Sequence, residues 1–136
     1  MTHKEEGEIT LLQATSCLFG LTVLHAYAKG EPVLHGLCLC VTVMSVLNHS
    51  VAHRGVRLLD SVCAHALFLY ALVGLWVAGS GYLWLVVIVM QLWVAEHLVV
   101  DARNRELLHA CLHLTAQLGP HGYLVGLERR AQPALV

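Results

Sequence analysis

Five apolar stretches, each about as long as a bilayer is thick, follow one another in this chain with only short charged or Gly/Pro-bearing breaks between them. That spacing leaves few folds open. A hydrocarbon core of about 30 Å takes about 20 residues of helix, and a chain inside it must satisfy every backbone N–H and C=O internally. The breaks fall at Lys29, Gly30, Glu31 and Pro32, at His53 to Arg57, at Gly79, Ser80 and Gly81, and at Asp101 to Arg105. They predict helices over about residues 9–28, 33–52, 58–78 and 82–100, and a fifth from about 106 to at least 119, with Pro120 ending or kinking it. The expected fold class is all-α, a polytopic transmembrane bundle of about five helices forming a single domain over residues 1–136.

Composition agrees with an integral membrane, multi-pass protein. The chain is 57% hydrophobic and 12% charged, an imbalance that a water-soluble core cannot absorb. Eight Lys and Arg stand against nine Asp and Glu, with no basic run, so nucleic acid is not an expected partner. Cys17, Cys38, Cys40, Cys63 and Cys111 all fall in apolar stretches and form no CxxC pair, which indicates neither a disulfide framework nor a thiolate zinc site and reads as small buried hydrophobes. The first apolar stretch follows an acidic flank at Glu5, Glu6 and Glu8, whereas a secretory signal wants a basic one, so it is expected to be a membrane helix. Lys4, Arg54, Arg57, Arg103 and Arg105 fall on one side and Lys29, Arg129 and Arg130 on the other, which favours a cytoplasmic amino terminus. Trp76, Trp84, Trp93, Tyr82 and Tyr123 are expected to be interface anchors or packing.

Ten histidines in so apolar a chain need a reason, because ionisable groups at membrane depth are costly and mark function. Ser45 and His49 stand one helical turn apart near the end of helix 2, and His109 and His113 stand one turn apart near the start of helix 5. Asp60 is expected in the first turn of helix 3. In an up-down bundle all these positions share one leaflet. Three histidines from two helices at similar depth, beside a carboxylate, make a three-histidine site with an open fourth position, the arrangement that lets zinc activate water. His53 and His97 are expected on the same side as interfacial or ligand-orienting groups, and His65 is expected to point elsewhere. His25 and His35 read as interfacial, and His3 and His121 as lying outside the hydrocarbon.

The ordered set Ser45-x-x-x-His49, Asp60 and His109-x-x-x-His113 resembles the signature of the alkaline ceramidase-like (CREST) superfamily of membrane hydrolases, which includes the progestin and adipoQ receptors. The string from His109 to Gly119 also looks like the last helix of the ceramidases. The resemblance implies that His49, His109 and His113 bind zinc, that Asp60 and Ser45 are catalytic, and that the reaction is hydrolysis of a ceramide-like lipid amide in the endoplasmic reticulum or Golgi. Family members usually have seven helices. The two that this chain lacks would fall between helix 3 and the helix bearing His109, where they would help to wall a lipid chamber. A shorter version fits a reduced fold, or one completed by an oligomer or a larger membrane complex.

Two other classes fit parts of the pattern. A haem-binding subunit would use histidines on facing helices as axial ligands, and a structural subunit would use them only to pack and hydrogen-bond. The haem reading leaves Asp60 at the same depth unexplained, whereas the structural reading takes it as an ion pair with Arg57 or a helix cap and agrees with the small size and helix count.

Overall fold

The computed structural model describes residues 10–51, 53–77 and 84–131. Among these there are five helices and no strand: α1 Leu11–Ala28, α2 Pro32–Ser50, α3 Arg54–Val77, α4 Trp84–Leu98 and α5 Ala102–Ala131. The expected turn at Gly79, Ser80 and Gly81, together with Tyr82 and His3, lies outside the described residues.

Each break in the sequence has a local cause. Thr10 and Gln13 form a reciprocal capping box at the start of α1. Its other end closes with Gly30 at φ 68 while the Gly30 and Glu31 N–H groups donate back to Tyr27 and Ala26 carbonyls, a left-handed cap that glycine adopts without penalty. Pro32 then opens α2 at a position where a missing N–H costs nothing. Two starts come earlier than expected. The His53 ring accepts the Gly55 N–H at 3.2 Å, so α3 begins at Arg54 rather than near residue 58. Asp101 accepts the Asn104 N–H at 3.0 Å, so α5 begins at Ala102 rather than near 106.

These caps move the site residues along their helices. Asp60 sits in the second turn of α3, not the first, and His109 in the third turn of α5, while His49 is one residue from the end of α2. Pro120 neither ends α5 nor marks its limit, since the helix continues through it to Ala131. Pro120 is fully buried against the bundle.

Helix α5 is the centre of the bundle and packs against α1, α3 and α4, while α2 bridges α1 and α3. Its buried positions Ala110, His113, Gln117, Pro120 and Leu124 recur at intervals of three and four, one helical stripe turned inward. Closest approach to α3 occurs at Gly74, where an added Cβ would lie 2.8 Å from ring carbons of Tyr123. Tyr123 in turn packs edge-on against Tyr70 at 5.9 Å. Gly74→Ala therefore forces the two helices apart, and its expected cost is about 1–3 kcal/mol, to be read as a lower unfolding midpoint in detergent or lipid.

Polar groups join the apolar core, and large apolar side chains face outward. On α1 the buried stripe includes Thr15, Ser16 and Thr22, with Thr22 at 0% exposure, while Leu21 and Leu24 face outward at 59% and 65%. A soluble helix would do the opposite. Helices α1, α2 and α3 are each long and apolar enough to cross a membrane, and α4 is a shorter apolar helix. The same inversion corrects the cysteine reading. All five thiols are free, yet only Cys38 is buried, while Cys17, Cys40 and Cys111 lie on the outer surface. Trp76, Trp84 and Trp93 are likewise exposed.

His121 is not outside the bundle. It is half-buried on α5 against α1, where its Nδ1 meets His25 Nδ1 at 2.7 Å and its Nε2 meets Thr22 Oγ1 at 3.1 Å. His25 is thereby an interhelical partner rather than a free interfacial group. A nearby Lys29–Glu128 ion pair ties the same two helices. His35 pairs within the bundle, through Nδ1 to the Val23 carbonyl at 3.1 Å.

Candidate metal centre

The end of α2 and the third and fourth turns of α5 bring His49, His109 and His113 together. One ring nitrogen from each lies within 4.8 Å of the others. His109 and His113 rings stand 4.6 Å apart between centroids, and His49 packs against them at 5.4 and 5.5 Å. Three imidazoles held this closely from two helices are the cluster that the spacing predicted.

Hydrogen bonds decide which nitrogen each ring offers. His109 Nδ1–H donates to Glu96 Oε1 at 2.8 Å, which leaves its Nε2 lone pair free. Thr15 Oγ1 spends its hydrogen on the Leu11 and Leu12 carbonyls, both at 3.1 Å, and so accepts from His113 Nδ1–H at 3.1 Å. His113 Nε2 is then free as well. The third imidazole, His49, has its Nε2 buried with no hydrogen-bond partner. A buried polar atom without a partner is costly, and a cation shared by three lone pairs removes that cost. Tetrahedral zinc with bonds of about 2.0–2.1 Å spaces its ligands about 3.4 Å apart, so closure asks each ring to shift by under about 1 Å. The donor set fits a divalent metal of the zinc type.

Asp60 and Ser45 are placed beside this cluster by different supports. Asp60 Oδ2 accepts from Asn48 Nδ2 at 2.7 Å, a bond from the residue just before His49. Ser45 Oγ lies 2.9 Å from Ser16 Oγ, and because Ser16 donates to the Leu12 carbonyl at 2.7 Å, Ser45 is the donor between them. Ser45, Asp60, His109 and His113 all line one cavity of about 620 Å³. Glu96 shares that wall. Away from these groups the lining turns apolar, running through Leu67, Ala71 and Leu75 on α3 and Leu85, Val86 and Val89 on α4. Among the described residues α3 and α4 scarcely touch, and the cavity fills the space between them.

The remaining histidines fall into place around it. His65, expected to point elsewhere, lines the same cavity, with its Nδ1 bonded to the Ser61 carbonyl at 2.6 Å. His97 also lines it but bonds the Trp93 carbonyl on its own helix at 2.8 Å, and His53 caps α3. The hydrogen bonds that hold His109 and His113 come instead from Glu96 and Thr15, which motif spacing did not single out. The signal for Glu96 was nonetheless in the sequence, as a lone carboxyl within the apolar run of α4. No comparable signal marks Thr15, because threonine is ordinary at packed membrane helices. Compared with known proteins, the chain matches no family model, no curated protein and no solved structure.

Proposed function

We propose that this protein is a zinc-dependent membrane hydrolase that cleaves the amide of a ceramide-like lipid, with all five helices in the bilayer. The observation that carries the reading is the convergence of His49, His109 and His113, with the buried Nε2 of His49 lacking a partner among the described residues and with His109 and His113 lining the polar end of an apolar cavity. Zinc held there would supply a Lewis acid that polarises a carbonyl and acidifies water near neutral pH. Asp60 takes the proton from the attacking water and passes it to the leaving amine nitrogen, so that water and amide give a carboxylic acid and an amine. Ser45 turns its hydroxyl from Ser16 to the oxygen that gains charge as the carbonyl is attacked. The apolar stretch accommodates the lipid chain. From Asp60 to Leu75 along α3 is about 22 Å at the rise of an α-helix, a length suited to a long acyl group.

Two carboxyls, on Asp60 and Glu96, face this cavity beside the His109 and His113 imidazoles. Ionised, they attract a cation to this site, while Arg57 on the same wall offsets one of the two charges. Three imidazole nitrogens within 4.8 Å of one another suit one small ion, whereas haem takes its axial ligands on two opposite faces. Both features favour a small dication over haem.

Elemental analysis joined to turnover tests the proposal. Protein purified in mild detergent is expected to carry about one zinc per chain and to release fatty acid from a long-chain ceramide, to lose that activity on chelation, and to regain it with added zinc. Folded protein that holds no stoichiometric metal, or metal-loaded protein that leaves long-chain lipid amides intact, contradicts it.

A further inference from the structure

Glu96 is the only acidic residue of α4, a helix otherwise built from apolar side chains, Gln91 and His97. Its carboxyl is 16% exposed, lines the cavity, and accepts His109 Nδ1–H at 2.8 Å. Holding a carboxylate at membrane depth is expensive, and an interhelical contact alone does not require one, since a hydroxyl or an amide would serve. Thr15 does serve in that way for His113. The two α5 histidines therefore have unequal supports, one neutral and one acidic.

We propose that Glu96 is the positioning residue of the metal centre, fixing His109 as the Nδ1–H tautomer and increasing the basicity of its Nε2 toward the cation. The inference rests on the metal reading above. Histidine ligands commonly donate their second N–H to a carboxylate or carbonyl, which locks the ring and strengthens the ligand. In this fold the arrangement also couples the helices, because Glu96 lies in the last turn of α4 and His109 in the third turn of α5, whose start is capped by Asp101. A ring free to turn about χ2 would present either nitrogen to the cluster. Glu96 removes that freedom without touching the substrate.

The test compares wild type, Glu96→Gln and Glu96→Ala in the full chain, with helicity by circular dichroism as the control for folding. In metal-free protein, 15N-histidine NMR is expected to show His109 protonated at Nδ1 in wild type. Glu96→Gln keeps that tautomer, because its amide oxygen still accepts, whereas Glu96→Ala shifts the ring toward the Nε2–H form. Zinc affinity, read by chelator competition, is expected to fall about 10–100-fold in Glu96→Ala and by less in Glu96→Gln. If wild type takes up no zinc, the metal reading fails and the positioning role falls with it. Wild type that binds zinc alongside a Glu96→Ala variant with unchanged affinity and tautomer overturns the role of Glu96 alone. Should Glu96→Ala lose its helicity, Glu96→Gln decides: an Nδ1–H ring with weakened zinc binding supports the proposal, and unchanged zinc affinity refutes it.

Discussion

Replacing His113 by alanine is expected to abolish stoichiometric zinc binding, with affinity falling by more than the roughly 100-fold that loss of an outer partner costs at such a site. His113 is the most enclosed of the three, 9% exposed, and its ring touches both other imidazoles of the cluster. Two nitrogens from His49 and His109 cannot hold a tetrahedral ion against water and chelators as three do. Truncation also leaves a void beside Phe19, whose ring packs edge-on against His113 at 6.0 Å, and removes the donor to Thr15. Some destabilisation accompanies the change for that reason. His113→Gln separates the two effects, since it restores much of the volume and a polar group but not the imidazole. Zinc per chain, measured on material that retains wild-type helicity, should be near zero in both variants. Full occupancy in either one removes His113 from the ligand set.

Asp60→Asn carries the second large effect, and of the opposite kind. The substitution is isosteric, and Asn48 Nδ2, which lies 2.7 Å from Asp60 Oδ2, still finds an acceptor in the new amide oxygen. Helix α3 and the metal content should be preserved. What disappears is the group that accepts a proton from water, a contribution of about 10²–10⁴ in rate for general base catalysis. The expected result is zinc-loaded protein with ceramide hydrolysis reduced by that factor and substrate affinity little altered. Undiminished turnover would move the base from Asp60 to Glu96, the other carboxyl on the cavity wall. Because Glu96 also holds His109, that outcome would give one residue both tasks, and the Glu96→Gln variant would then lose activity far beyond its loss of metal.

Much of this is legible in the sequence. The length and spacing of the apolar runs gave five helices, and the two pairs at i, i+4 gave the faces on which Ser45, His49, His109 and His113 sit. The same reasoning misplaced the helix starts, since it took charged residues to mark loops. Arg54, Arg57, Arg103 and Arg105 belong to helices, because His53 and Asp101 cap the chain immediately before them. A cap is a matter of one hydrogen bond to a backbone N–H, and periodicity does not register it.

The sequence by itself determined the class of fold and the three imidazoles that meet, because both follow from short-range periodicity and from the cost of polar groups in hydrocarbon. Only the tertiary structure decided how those imidazoles are presented. Glu96 to His109 spans 13 positions, while Thr15 to His113 spans 98 and Ser16 to Ser45 spans 29, and such pairings depend on which helix lies against which. The same holds for His121, drawn inside by His25, and for the cavity between α3 and α4. Which surfaces meet is set by side-chain packing summed over whole helices, a property that no local window of residues contains.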